Sequence, residues 1–228
     1  MKIHIYYRHY NISGTGYNRP DWFDYEKCYD NLVNSLKDVS SELYNINIVF
    51  VGDITSNWIS NKYSTTTHQI HAGTDMSSFF KTCNLIKEDV NIAENDLIYF
   101  LENDYLHVPG WLDIIFDLYS TYSGLNYVSL YDHNDKYFLP MYDELVSKLF
   151  VTTQRHWRST PSTCGSFVIN KQTFDLDYDI LSTMNGDHEK YLWLNKNRGR
   201  SVITPIPGLS THCMTGLLSP TINWKELC

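Results

Sequence analysis

The chain has 228 residues, with 18 Lys and Arg against 26 Asp and Glu for a net charge of −8. That length suits a single α/β domain burying about 70–75% of its unfolded surface. The acidic balance, without any Lys/Arg run, excludes a phosphate-tracking nucleic-acid surface or a polybasic membrane patch, so an anionic ligand needs local help such as a metal. Five cysteines (Cys28, Cys83, Cys164, Cys213 and Cys228) form no C-x-x-C pair, and the odd count fits reduced thiols better than a disulfide framework. No stretch approaches 18 apolar residues, and Met1 leads straight into a strand pattern, which predicts a soluble cytosolic protein without a transmembrane segment.

Ile3 to Tyr7 reads as a short strand with Arg8 at its carboxyl end, followed by a Gly/Asn/Ser-rich loop from Asn11 to Arg19. From Tyr25, apolar residues at Cys28, Tyr29, Leu32, Val33, Leu36 and Val39 mark one buried helix face. Ile46 to Val51 is a second buried strand ending in Gly52-Asp53, so the unit is β-α-β, its strands are parallel, and Arg8 and Asp53 share one sheet edge. Asp53 there either accepts hydrogen bonds from a base or ribose or is a plain turn residue. Residues 56–75 read as a loop with a weak strand at Gln69 to His71 and a point of close approach at Gly73; a helix from Ser77 to Lys87 follows.

Leu97 to Leu101 is an apolar run of the length and composition of a strand buried on both faces, and it stops at Glu102-Asn103-Asp104. Two carboxylates at the carboxyl end of such a strand sit where open α/β sheets bind ligands, and oxygen donors suit Mg²⁺ or Mn²⁺. The alternative is a solvated turn capping the helix that follows Pro109-Gly110. In that helix Trp111, Leu112, Ile115, Leu118 and Tyr119 face inward, and Asp113 and Asp117 outward.

Asn126 to Tyr131 is a further strand, and Asp132 and His133 at its end either bind a metal or sugar hydroxyls or form a turn. The polar segment from Thr152 to Phe167 reads as a loop. Within it, Trp157 between His156 and Arg158 could stack on a pyranose while its neighbours address hydroxyls or phosphate, or it could simply pin the loop. Ser166 to Ile169 returns to a strand. Asp187 stands where the N-cap of the helix from His188 to Leu194 belongs, and it either caps or serves as a general base. The last strand, Val202 to Pro207, leads to His212 in a Gly/Ser/Thr context, where an imidazole could complete an oxygen-rich metal site.

Taken together, Arg19 to Phe23, Leu97 to His107, Val128 to Tyr137, His156 to Thr163, Pro207 to His212, Leu218 to Pro220 and Trp224 resemble a group of small glycosyltransferases with the GT-A fold, found in bacteria and large DNA viruses. The resemblance implies one GT-A-type, Rossmann-like α/β domain over 1–228, with a mostly parallel sheet flanked by helices, a nucleotide-binding half (1–104) and an acceptor-binding half (105–228). It implies transfer from a nucleotide diphosphate sugar, a UDP-sugar first, to a glycan, glycoprotein or other hydroxyl acceptor, with inversion, and for a viral enzyme a host cytoplasmic location. Asp104 and His212 stand as ligands of Mn²⁺ or Mg²⁺. Glu102 lies near the ribose or the metal, Asn103 replaces a frequent Asp, and Asp187 matches the base with Glu189 as its rival. Two alternatives from other classes are a sugar nucleotidyltransferase and a non-catalytic carbohydrate-binding protein.

Overall fold

The computed structural model describes residues 1–10, 17–51 and 66–228. In chain order the strands are β1 (Ile3–Tyr10), β2 (Tyr44–Val51), β3 (Thr66–Ile70), β4 (Leu97–Glu102), β5 (Tyr105–His107), β6 (Tyr127–Val128), β7 (Leu149–Val151), β8 (His156–Thr160), β9 (Phe167–Asn170), β10 (Val202–Ile206) and β11 (Ser210–His212). The α-helices are α1 (Tyr25–Ser35), α2 (Asp75–Glu88), α3 (Trp111–Thr121), α4 (Lys171–Leu181) and α5 (Asp187–Arg198).

Among the described residues, nine strands form one sheet in the order β3-β2-β1-β4-β9-β6-β10-β8-β7. Only β8 and β9 run against the rest, because β9 is antiparallel to both β4 and β6, and β8 is antiparallel to both β10 and β7. The expected mostly parallel α/β sheet flanked by helices is therefore present. Side-chain alternation along β1 and β4 explains its two cores. Ile3, Ile5, Tyr7, Leu97, Tyr99 and Leu101 meet α1 and α3 on one face. Tyr6, Ile98 and Phe100 meet α2, α4 and α5 on the other. Both strands are buried on both faces, which is why each reads as a continuous apolar run.

Two local readings are corrected. The polar segment after Thr152 is not a loop: β7 and β8 form an antiparallel pair at the sheet edge, with Trp157 opposite Phe150. Asp187 is the first residue of α5 rather than its cap, since Gly186 takes that place at φ 78° and no side chain caps the helix. Among the described residues, no helix is long and apolar enough to cross a membrane.

Candidate active site

The sheet's carboxyl edge is built by register. β1 pairs with β4 so that Arg8 lies opposite Glu102, and their side chains meet at 3.0 Å. The Arg8 guanidinium is almost wholly enclosed and also donates to Asp75 Oδ1 and to Ser78 Oγ, each at 2.8 Å, on the first turn of α2. Glu102 is held on its other oxygen by the Ser166 hydroxyl at 3.1 Å. Burial pushes its carboxyl up to about 7, against the pull of Arg8. Gly165 makes this packing possible: a Cβ there would lie 2.8 Å from Arg8 Nη2 and 3.1 Å from Glu102 Oε1.

Asp104 ends the same turn, and β5 begins at the next residue. Because β11 pairs antiparallel with β5, His212 falls opposite Tyr105 and stacks on its ring at 5.2 Å. That register sets His212 Nε2 3.0 Å from Asp104 Oδ2, although 108 residues separate them. The Arg19 guanidinium donates to the same Oδ2 at 2.7 Å and to the Cys213 carbonyl at 2.8 Å. Burial alone would raise the Asp104 pKa and lower that of His212, but their mutual attraction reverses both shifts, with Arg19 adding to the effect on Asp104.

The Asp104–His212 pair fits part of a divalent ion's shell. Adjacent octahedral ligands at about 2.1 Å from an ion lie roughly 3 Å apart, and Asp104 Oδ1 is buried without a partner. No third Asp, Glu, His or Cys joins them as a metal cluster among the described residues. Ligand oxygens and water would complete the shell, as is usual for Mg²⁺. Glu102, expected near the ribose or the metal, accepts from Arg8 and from Ser166. Asn103 stitches strand ends together, donating to the Tyr10 carbonyl at 3.1 Å and lying 3.2 Å from His9 Nδ1.

These groups line a cleft of about 440 Å³. Its other wall is the start of α2, where Thr74 caps the helix by accepting from Ser77 N at 3.1 Å, and the rim carries Tyr10 and Tyr17. A Cβ on Gly73 would point into open space. Asp53 lies outside the described residues. The helix terminus favours an anion, and the Asp75 carboxylate in its first turn already supplies one negative charge there, paired with Arg8.

Neither expected base lines the cleft. Asp187 is 36% exposed at its side chain and accepts from the buried Lys190 ammonium at 3.4 Å; burial raises its pKa, while Lys190 and Arg8 oppose the shift. Glu189 folds back over Gly186, close enough that a Cβ on that glycine would lie 2.5 Å from its Oε2.

The expected sugar-binding group separates from the cleft. Asp132 and Arg158 are a closed buried pair at 2.8 Å, with the Tyr137 hydroxyl on the second Asp132 oxygen at 2.8 Å. His133 packs on Tyr131 with ring centroids 4.1 Å apart, and burial drives its pKa well below the usual value. Trp157 is 0% exposed with its indole N–H directed at Thr152, so neither ring face is open to a sugar. His156 is exposed on β8. Arg19, Asp75, Ser78 and Ser166 were not among the expected site residues. Thr74-Asp75 at a helix start was the one local signal for part of that set.

No family model and no curated protein matches the chain. Among solved structures, a CMP:2-keto-3-deoxy-manno-octonic acid synthetase complexed with CTP is similar at TM-score 0.54 and 11% identity, over 91% of this chain and 92% of that one. A galactosyltransferase LgtC with donor and acceptor sugar analogs superposes at TM-score 0.44 and 10% identity over 83% and 69%. The 2-C-methyl-D-erythritol 4-phosphate cytidylyltransferase of Francisella tularensis gives 0.48 and 14% over 100% and 97%. The synthetase likeness, read with the sheet order and flanking helices, gives the chain a GT-A-like α/β fold.

Proposed function

We propose that the chain is a glycosyltransferase that moves a sugar from a nucleotide diphosphate sugar, a UDP-sugar first, to a hydroxyl of a glycan or glycoprotein. The observation that carries this reading is the Asp104–His212 pair, 3.0 Å apart in a cleft that also presents Arg8, Arg19 and the amino end of α2. Mn²⁺ or Mg²⁺ held by Asp104 and His212 would neutralise charge on the departing diphosphate. The chain's own residues do the rest. The N-terminus of α2 attracts the phosphates, while Tyr10 and Tyr17 offer ring faces to the nucleobase. Nucleotide binding falls mainly to residues 1–104 and acceptor binding to residues 105–228, although His212 crosses that division.

Asp187 accepts the proton of the acceptor hydroxyl as it attacks the anomeric carbon from the opposite face, giving inversion. Its raised pKa strengthens it as a base.

A second reading, sugar nucleotidyltransferase, is favoured by the fold shared with the CTP-bound synthetase. A thermal-shift panel of nucleoside diphosphates, triphosphates and nucleotide sugars, with and without Mn²⁺, tests both, since a ligand at a hundred times its Kd adds about 2.7 kcal/mol. Release of nucleoside diphosphate from a bound nucleotide sugar supports glycosyl transfer. Pyrophosphate release from a nucleoside triphosphate and a sugar phosphate overturns it in favour of the second reading.

A further inference from the structure

The Asp104–His212 pair already faces a cation of its own chain. Arg19 Nη2 lies 2.7 Å from the Asp104 oxygen that His212 shares, and Nη1 lies 3.5 Å from His212 Nε2. That contact is anchored on several sides. Nη1 donates to the Cys213 carbonyl at 2.8 Å, and Thr215 N donates to the Asn18 carbonyl at 2.8 Å, pinning the backbone beside it. The guanidinium carbon sits 4.7 Å from the Phe23 ring and 5.1 Å from the Tyr17 ring. A guanidinium so placed does what a divalent ion would do for Asp104: it neutralises a carboxylate that is only 8% exposed.

We propose that Arg19 is a built-in cation occupying the divalent ion's place beside Asp104 and His212, so that the ion enters only by displacing it. This rests on the reading of Asp104 and His212 as the ion's ligands. An ion held by His212 Nε2 and either Asp104 oxygen would stand against the guanidinium, whose Nη1 lies 3.5 Å from that nitrogen and whose Nη2 lies 2.7 Å from Oδ2, and two cations repel strongly at these distances. The ion alone therefore binds weakly. A diphosphate shifts the balance, because its oxygens complete the ion's shell and offer the released guanidinium a two-pronged partner. Ion and nucleotide then bind together, and the empty site keeps its buried carboxylate compensated.

The test is Mn²⁺ alone, titrated by electron paramagnetic resonance into the full chain, with circular dichroism confirming that each variant is folded. Arg19→Gln should bind Mn²⁺ at least about tenfold more tightly than the unaltered protein, one step of 1.4 kcal/mol. Arg19→Lys keeps the charge but cannot span Asp104 and Cys213 together, and it should fall between them. Asp104→Asn should bind least. Equal or weaker binding by Arg19→Gln, with binding still lost in Asp104→Asn, overturns the inference while leaving the ion at Asp104. Undiminished binding by Asp104→Asn overturns both the inference and the ligand assignment. If Arg19→Gln does not fold, Arg19→Lys decides alone: Mn²⁺ affinity no greater than that of the unaltered protein rejects the displaced-cation account.

Discussion

Arg8 and Glu102 are register partners on β1 and β4, and their side chains meet at 3.0 Å where both strands reach the cleft. Burial and pairing pull the Glu102 carboxyl in opposite directions, and burial prevails, raising it to about 7. A carboxyl whose folded pKa exceeds its unfolded value of about 4.3 binds its proton more tightly when folded. Its stabilising contribution is complete below that unfolded value and is lost as pH rises toward 7. The unaltered protein should therefore lose stability relative to Glu102→Gln between pH 5 and pH 8, measured by urea unfolding at both. A difference that moves the other way would mean that Arg8 holds the carboxylate ionised.

Nucleotide diphosphate binding should need a divalent ion, because the chain carries a net charge of −8 and the cleft's two arginines are each engaged by carboxylates. Calorimetric titration of UDP with Mn²⁺ and with EDTA measures this, and equal affinities would count against the Asp104–His212 site. Asp104→Ala should abolish turnover with its far-ultraviolet circular dichroism spectrum intact. It leaves Arg19 and His212 without their shared acceptor, a loss of about 1–3 kcal/mol.

Trp157 should behave as a core residue. Its indole on β8, opposite Phe150 of β7, is fully buried in the core layer, so Trp157→Ala should cost about 3–5 kcal/mol. The folded fraction should keep its nucleotide and sugar affinities. Weakened sugar binding without a drop in unfolding free energy would restore the stacking role.

The strands were legible where burial on both faces leaves a continuous apolar run, as in Leu97 to Leu101, and α1 was legible from its single apolar stripe. The β7–β8 pair was not, because Trp157 is the one apolar residue of β8 and the stretch is too short and polar for period alone. The carboxylates at the end of β4 were readable as a ligand edge, yet Arg19 was not readable as their partner. Its bond to Asp104 spans 85 residues and depends on the β5–β11 ladder, which no local pattern announces. Likewise, the helix start at residue 187 was visible, but the identity of its cap turned on the positive φ of Gly186.

That cap bears directly on Asp187. With Gly186 in the cap position and no side-chain capping bond, Asp187→Asn forfeits none of the ~1 kcal/mol that a lost cap costs. What it does remove is the carboxylate facing Lys190, whose ammonium is buried at 3.4 Å and rests 4.4 Å over the Phe79 ring. A general base contributes roughly 10² to 10⁴ in rate, so turnover should fall within that range. Donor affinity should hold, since Asp187 lies outside the cleft that Arg8, Asp104 and His212 line. The raised pKa of Asp187 also fixes a sign: the acid limb of the pH–rate profile should lie above the ordinary aspartate value of 3.8, and it should vanish in the variant. Near-normal turnover by Asp187→Asn, with the sugar transferred in its original anomeric configuration by NMR, would replace inversion with retention. Near-normal turnover with inversion would move the base to Glu189, whose replacement by Gln should then carry the loss.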